Sequence, residues 1–185
     1  MAKLIFTYGA MNAGKTTSLL QVAHNYEERG LKTAIFTYND CDNNGSCFCR
    51  LGVSKKCTIF NKETDFMEVD LADASILLID EAQFLTKQQV FDLGRITSLN
   101  DVPVMCFGLR TSWQGNVFEG SSALLGLADE LREIRTICCC GKRATMAMKT
   151  QSTDNKSEED IGHDKYVSLC RKCWLLSAKS GGVTL

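Results

Sequence analysis

Short apolar runs alternate along the chain with longer segments in which apolar residues recur every three or four positions. The short runs are rich in β-branched and aromatic residues, which predicts strands over residues 3–8, 33–38, 74–79, 102–109 and 131–137. The longer segments have the spacing of helices with one buried face, and they cover residues 16–29, 86–99 and 119–128. Thr86 is the expected N-cap of the second helix. The polar, glycine-containing stretch over residues 39–52 is predicted to be a loop.

Strands that alternate with helices indicate an α/β fold whose sheet is mostly parallel. The pattern ends near Cys138, after which cysteines, basic residues and a polar stretch predominate. We therefore expect a core over residues 1–137 and a small second module over residues 138–176. Residues 177–185 include a Ser-Gly-Gly sequence and are expected to form a flexible tail.

The composition is that of an ordinary globular protein, with 44% apolar and 23% charged residues and a formal net charge of −1. A net charge so close to zero argues against a protein that coats DNA, since such proteins are strongly basic. No apolar run approaches the ~20 residues of a membrane span, and the apolar start is too short for a secretory signal. These features predict a cytoplasmic protein that binds neither nucleic acid nor membranes.

A glycine-bounded loop lies between the first predicted strand and the first predicted helix. It fits the pattern G-x-x-x-x-G-K-[ST] and consists of Gly9, Ala10, Met11, Asn12, Ala13, Gly14, Lys15 and Thr16. Such a loop turns backbone N–H groups toward a phosphate chain at the positive end of a helix. Lys15 would then reach the β- and γ-phosphates, and the Thr16 hydroxyl would bind Mg²⁺. The alternative is an ordinary glycine turn followed by a surface lysine.

Two carboxylates, Asp80 and Glu81, follow the apolar run over residues 74–79. Open α/β sheets bind their ligands at the carboxyl ends of the strands, so Asp80 is predicted to help hold Mg²⁺. Glu81 is placed to accept a proton from an attacking hydroxyl or water. The alternative is a solvated acidic pair that opens a loop. Gln83 could contact nucleotide or metal-bound water, or it could cap the next helix.

Five of the ten cysteines lie between residues 138 and 173. Cys138, Cys140, Cys170 and Cys173 form two close pairs across a long loop, which predicts a closed structural Zn²⁺ site. Use of the adjacent Cys139 and burial as free thiols are the alternatives. The earlier group, Cys41, Cys47, Cys49 and Cys57, has no metal-ligand spacing and is interpreted as structural or incidental.

Together these motifs resemble the type II thymidine kinase family, and most closely its bacterial and phage branch. Further similar stretches are Gly108-Leu109-Arg110-Thr111, Phe118-Glu119-Gly120-Ser121 and the sequence from Tyr166 to Lys172. The resemblance extends from Ala2 to about Leu176. It implies a RecA-like P-loop core with a zinc-binding lasso, and ATP-dependent phosphorylation of the 5′-hydroxyl of thymidine and deoxyuridine. The family is usually a homotetramer that is inhibited by thymidine triphosphate, and we expect both properties here.

The resemblance also assigns residues. It implies that the phosphate loop, Asp80, Glu81, Ala82 and Gln83 bind ATP, that Thr16 and Asp80 hold Mg²⁺, and that Glu81 is the catalytic base. The implied nucleoside-binding residues are Met11, Asp40, Phe84, Leu109, Trp113, Phe118, Ile161, Gly162, His163, Asp164, Lys165 and Tyr166. One structural Zn²⁺ is expected on Cys138, Cys140, Cys170 and Cys173.

Several positions depart from the family pattern. Cys41 and Asp42 follow Asp40 where the family commonly has an arginine, and Ser112-Trp113 replaces an acidic residue or threonine followed by phenylalanine. The alternatives to a thymidine kinase are a P-loop kinase for another nucleoside, a zinc-ribbon ATPase that acts on nucleic acid, and a homologue without turnover. A helicase is disfavoured because 185 residues cannot supply a second RecA-like domain.

Overall fold

The computed structural model describes residues 1–38, 46–48, 52–71, 73–150 and 166–179. The strands are β1 (Leu4–Gly9), β2 (Thr33–Tyr38), β3 (Ser46–Phe48), β4 (Ser54–Lys56), β5 (Thr58–Phe60), β6 (Ile76–Ile79), β7 (Val104–Gly108), β8 (Glu130–Ile134), β9 (Thr136–Ile137), β10 (Arg143–Ala144), β11 (Met146–Lys149) and β12 (Tyr166–Leu169). The helices are α1 (Lys15–Glu27), α2 (Lys87–Leu99), α3 (Glu119–Leu127) and α4 (Arg171–Lys179), and a 3₁₀ turn covers Ala82–Phe84.

Six strands form the central sheet in the order β5-β2-β6-β7-β1-β8, and every neighbouring pair is parallel. Alternate residues of each strand enter the cores on opposite faces. Leu77 and Ile79 face the core that α2 and α3 cover, whereas Ile76 and Leu78 face the core that α1 covers. Burial on both faces explains why β6 and β7 are continuous apolar runs. The predicted α/β fold with a mostly parallel sheet is confirmed.

The start of α2 is fixed by a reciprocal cap. The Thr86 hydroxyl accepts a hydrogen bond from the backbone N–H of Gln89 at 3.2 Å, and the Gln89 side chain accepts one from the backbone N–H of Thr86 at 2.9 Å. This arrangement satisfies two of the N–H groups that a helix start leaves without partners. The predicted N-cap at Thr86 is therefore confirmed.

The described part of the cysteine-rich region, residues 136–149 and 166–179, consists of two antiparallel ribbons and a helix. One ribbon pairs β9 with β10, and the other pairs β11 with β12. Ala144, Met148, Leu169 and Trp174 pack with Cys138 and Cys170 in a small cluster of their own. Helix α4 continues to Lys179, beyond residue 177 where the tail is predicted to begin.

Two local predictions were wrong, and one strand of the central sheet was not predicted. The single strand predicted over residues 131–137 divides into β8, which joins the central sheet, and β9, which pairs with β10. The predicted loop over residues 39–52 contains β3, which pairs with β4. The short edge strand β5 was not predicted, because its three residues are too few for a recognisable apolar pattern. Within the described residues, no helix is both long and apolar enough to cross a membrane.

Candidate active site

The carboxyl ends of β1, β7 and β6 lie side by side, with β7 in the middle. The glycine-bounded loop follows β1, Leu109 follows β7, and Asp80 follows β6. Three segments that are distant in the sequence therefore meet at one edge of the sheet. This is the edge at which open parallel sheets bind their ligands.

The loop after β1 has the backbone that its glycine pattern predicts. Gly14 adopts φ 88° immediately before α1, and Asn12 also has a positive φ of 58°. Only glycine enters this left-handed region at little cost, so the last glycine of the motif is required by the backbone. The Lys15 side chain is buried and donates a hydrogen bond from Nζ to the Ala10 carbonyl at 3.1 Å. The loop thus closes around its own lysine at the start of a helix.

Thr16 and Asp80 are brought together as predicted. The Thr16 hydroxyl donates to Asp80 Oδ2 at 2.9 Å, and Asp80 is only 4% exposed. Burial, followed by the charge of Glu81, raises the pKa of Asp80 to about 7. Burial also lowers the pKa of Lys15, although Glu81 and Asp80 oppose this shift. Hydroxyl and carboxylate oxygens are ligands that suit Mg²⁺, so this pair could hold the ion.

Replacement of Asp80 by asparagine is expected to stabilise the Mg²⁺-free protein, and more so at about pH 8 than at about pH 5. The pKa of about 7 in the folded chain lies above the ~3.9 of an unfolded aspartate, so the folded chain keeps a proton that the unfolded chain releases. Stability from this group is present below about pH 4 and is lost as the pH rises through about 7. Urea unfolding of Asp80→Asn and wild type at both pH values, in Mg²⁺-free buffer without a chelator, measures the effect.

The matched control for this experiment is Asp73→Asn. Asp73 is exposed, and its hydrogen bond with Lys32 lowers its pKa, so its replacement should not stabilise the protein increasingly between these pH values. An equal effect of Asp80→Asn at both pH values would contradict the raised pKa of Asp80.

Glu81 is held in position by a glutamine that spans two strand ends. The Glu81 backbone has φ 52° and ψ 38°, and the Glu81 N–H donates to Asp80 Oδ1 at 3.1 Å. Gln83 Nε2 donates to Glu81 Oε2 at 2.5 Å, while Gln83 Oε1 accepts the backbone N–H of Leu109 at 2.9 Å. A non-glycine residue in this conformation is uncommon and is found most often at functional sites. Gln83 therefore links the end of β7 to Glu81, and the following helix is capped by Thr86 instead.

Four of the predicted nucleoside-binding residues lie in one apolar cluster. Buried Met11 and Tyr166 pack with Ala147, and half-buried Leu109 and Trp113 pack against them. The cluster joins the loop after β1 to the cysteine-rich region, because the Ser168 hydroxyl also donates to the Met11 carbonyl. Its walls could enclose a flat, mostly apolar ring.

Phe84 and Phe118 form a second, aromatic group. Their ring centroids are 5.8 Å apart, and Phe84 also stacks on Tyr38 at 4.6 Å. Ala147 and Tyr38 were missed by the sequence analysis. The signal for Tyr38 was its place at the end of a predicted strand, whereas β11, which carries Ala147, was not predicted. Asp40, Ile161, Gly162, His163, Asp164 and Lys165 lie outside the described residues.

The four predicted metal ligands converge. The Sγ atoms of Cys138, Cys140, Cys170 and Cys173 all lie within 4.8 Å of one another. Cys140 Sγ and Cys170 Sγ are 3.7 Å apart, which agrees with the about 3.8 Å that tetrahedral coordination at Zn–S of about 2.3 Å requires. Burial opposes ionisation, but the backbone N–H groups of Cys140 and Cys170 bring the pKa of Cys138 down to about 6. Four thiols with one thiolate already favoured fit a closed Zn²⁺ site.

The fifth cysteine of this region is excluded by its position. Cys139 is exposed, and although its Sγ lies 3.8 Å from Cys138 Sγ, it does not belong to the group of four sulfur atoms that all converge. The turn that brings Cys138 and Cys140 together is closed by a hydrogen bond from the Gly141 N–H to the Cys138 carbonyl at 2.8 Å, with Gly141 at φ 77°. The predicted choice of Cys138 and Cys140 agrees with this geometry.

Comparison with known proteins points to one family. A family model described as thymidine kinase matches residues 2–174. A thymidine kinase of Idiomarina loihiensis is 45% identical over 94% of this chain and 96% of that protein. A thymidine kinase of Salmonella typhimurium is 40% identical over the whole of this chain and 96% of that protein. A thymidine kinase of Mesorhizobium japonicum is 45% identical over 94% of this chain and 91% of that protein.

Proposed function

The chain belongs to the thymidine kinase family, and from this premise we propose that it transfers the γ-phosphoryl group of ATP to the 5′-hydroxyl of thymidine. The products are thymidine 5′-monophosphate and ADP, and deoxyuridine is a second substrate. The observation that carries the proposal is that Glu81 lies beside the Thr16–Asp80 pair and is held there by Gln83. This arrangement suits phosphoryl transfer, which depends on positioning and charge more than on covalent chemistry.

ATP binds along the loop from Gly9 to Thr16, with Lys15 on its β- and γ-phosphates. Thr16 and Asp80 would hold Mg²⁺, which would supply positive charge beside the transferred group. Ala82 and Gln83 complete the nucleotide side of the site. The pKa of about 7 for Asp80 applies to the protein without Mg²⁺. Binding of a divalent cation would displace the proton of the Asp80 carboxyl group, because metal ligands bind in their deprotonated form.

Glu81 is the base that accepts the proton of the 5′-hydroxyl as that oxygen attacks the γ-phosphorus. Its carboxylate keeps one oxygen, Oε2, on Gln83, which leaves Oε1 for the substrate. A fixed base avoids the entropy loss of orienting a mobile one, and positioning of this kind accounts for much of enzymatic rate enhancement.

Introduction of a methyl group at Gly108 is expected to lower kcat by about tenfold, because it displaces the glutamine that positions Glu81. A Cβ atom at Gly108 would lie 2.8 Å from Gln83 Oε1 and 3.0 Å from the Gln83 backbone nitrogen. Steady-state ADP formation by Gly108→Ala measures the effect.

Gly126→Ala is the matched control for Gly108→Ala, because an added Cβ there meets nothing within 4 Å and the residue lies in α3. Alanine favours a helix over glycine, so this variant should keep full kcat with equal or higher stability. A Gly108→Ala enzyme with wild-type kcat would show that the position of Gln83 does not matter for turnover.

The thymine base lies among Met11, Leu109, Trp113 and Tyr166, with Phe84 and Phe118 as further walls. Family membership assigns Asp40 to the sugar and the metal and the segment Ile161–Lys165 to the base, and these residues lie outside the described part of the chain. The support from the structure is the cluster of the first four residues at the phosphate loop. A cover over the base also keeps water from competing with the 5′-hydroxyl.

One Zn²⁺ on Cys138, Cys140, Cys170 and Cys173 stabilises the second module and takes no part in the chemistry, because four thiolates leave no open position. We further propose that the protein is a cytoplasmic homotetramer and that thymidine triphosphate inhibits it. These properties rest on family membership alone.

The experiment that tests the function is ADP formation by the purified protein with a panel of nucleosides, with water alone as the blank. Turnover that requires thymidine, with slower turnover of deoxyuridine, is the expected result. ATP hydrolysis that is indifferent to nucleosides would favour the zinc-ribbon ATPase, and strict dependence on another nucleoside would change the substrate. No turnover with any nucleoside would indicate a homologue that lacks kinase activity.

A further inference from the structure

The indole of Trp113 contains a hydrogen-bond donor that has no partner. Its Nε1 atom is fully buried and makes no hydrogen bond within the part of the chain that the structure describes. An indole N–H can only donate, and buried donors are nearly always paired. Trp113 packs against the cluster of Met11, Ala147 and Tyr166, so the residue that carries this donor borders the apolar site proposed for the base. An unpaired donor at this place calls for an acceptor that the described residues do not supply.

The loop that carries Trp113 is tightly constrained. Thr111 pairs with Val117, and the backbone N–H of Ser112 donates to the Asn116 carbonyl at 2.8 Å. The N–H of Gly115 donates to the Ser112 carbonyl at 3.1 Å. These contacts fix the backbone that carries the Trp113 side chain.

A second tryptophan fixes this loop from the cysteine-rich region. Trp174 Nε1 donates to the Trp113 carbonyl at 3.0 Å. Its ring lies 3.4 Å from the position that a Cβ would take at Gly115, which has φ 92°. Among the described residues, the two indoles therefore differ, because the N–H of Trp174 has a hydrogen-bond acceptor and the N–H of Trp113 has none.

We propose that the Trp113 indole N–H is a specificity determinant that donates a hydrogen bond to a carbonyl oxygen of the bound pyrimidine base. The inference rests on the proposed function, since it takes the cluster around Met11 and Tyr166 as the base site. A pyrimidine nucleoside fits because its flat ring suits apolar and aromatic walls and carries carbonyl acceptors at its edge. A nucleoside that presents no acceptor at this point leaves the donor unpaired and binds more weakly.

The chain has only two tryptophans, so an NMR correlation spectrum of ¹⁵N-labelled protein contains two indole N–H signals. Trp113→Phe removes one signal and assigns both, while it keeps an aromatic ring at the site. Saturating thymidine is expected to move the Trp113 indole proton downfield and to leave that of Trp174 nearly unchanged. One of the two analogues, 2-thiothymidine or 4-thiothymidine, should abolish this shift. It is the one in which sulfur replaces the accepting oxygen, because sulfur is a weak acceptor.

Calorimetric titration of the same proteins gives a second, independent readout. Trp113→Phe should bind thymidine about threefold to tenfold more weakly, the range of one neutral hydrogen bond, and should lose this difference with the thio analogue that abolishes the shift. The proposal would be overturned by wild-type affinity of Trp113→Phe for thymidine, or by equal shifts of the Trp113 signal with thymidine and both analogues. The proposed kinase function would still stand in that case if the protein turns over thymidine. Absence of saturable thymidine binding to the wild-type protein would overturn both the proposed function and this inference.

Discussion

Replacement of Glu81 by glutamine is expected to lower thymidine-dependent turnover by about 10²-fold or more, the usual loss when a general base is removed. The amide cannot accept the proton of the 5′-hydroxyl, but it has nearly the same shape as the carboxylate. Its carbonyl oxygen can still accept the hydrogen bond from Gln83 Nε2, so the link to the end of β7 remains. Initial rates at saturating ATP and thymidine measure the effect, and affinity for ATP should be largely unchanged.

The backbone conformation of Glu81 decides which replacement tests its role as a base. Its φ of 52° is unusual for a residue with a side chain, so a change to glycine would alter the freedom of the backbone as well as the chemistry. Glutamine avoids this problem, and an unchanged urea midpoint would show that the fold is intact. Turnover within a few-fold of wild type would mean that Glu81 is not the base.

Replacement of Cys170 by serine is expected to remove the bound zinc and to leave little folded second module. Structural Zn²⁺ contributes about 10–16 kcal/mol of apparent binding free energy in small zinc-bound domains, which is comparable to the ~5–15 kcal/mol that stabilises a whole domain. Among its described residues, the module's own apolar cluster is small and includes Cys138 and Cys170 themselves, so loss of the metal disrupts the centre of the module. Metal analysis and the yield of soluble protein measure the outcome.

Loss of the module should also abolish nucleoside phosphorylation, because it carries Tyr166 of the apolar cluster and Ser168, which bonds to the phosphate loop. Cys139→Ser is the matched control, since this neighbouring thiol is exposed and lies outside the group of converging sulfur atoms. It should keep one zinc per chain and full activity. Zinc retained by Cys170→Ser, or lost from Cys139→Ser, would contradict the assigned ligand set.

Five of the six strands of the central sheet could be predicted because their physical signals are local. Strands buried on both faces must be apolar throughout, and the turns at Gly9–Lys15 and Thr86 need particular residue types. The phosphate loop and the Asp80–Glu81 pair were found for the same reason, since each motif lies within a few consecutive residues. The four cysteines were also found from spacing, because two close pairs are recognisable even across a long loop.

The contacts between distant segments could not be predicted. Nothing near Gln83 indicates that its side chain reaches the backbone of Leu109, because that contact depends on β7 lying between β1 and β6. The short strands β5, β9 and β10 have too few residues to show a period, and β11 is formed by pairing with β12 rather than by its own pattern. The link from Trp174 to the Trp113 carbonyl likewise joins residues of the two modules and has no trace in either local sequence.

The most direct test of the central claim follows the phosphorus atom itself. ATP labelled in its γ-phosphoryl group is incubated with the enzyme, Mg²⁺ and thymidine, and the labelled product is identified. The proposed function predicts label on the 5′-oxygen of thymidine in proportion to the ADP formed, and none with 5′-deoxythymidine, which lacks the acceptor hydroxyl. Label found only in inorganic phosphate, with or without thymidine, would contradict the kinase function.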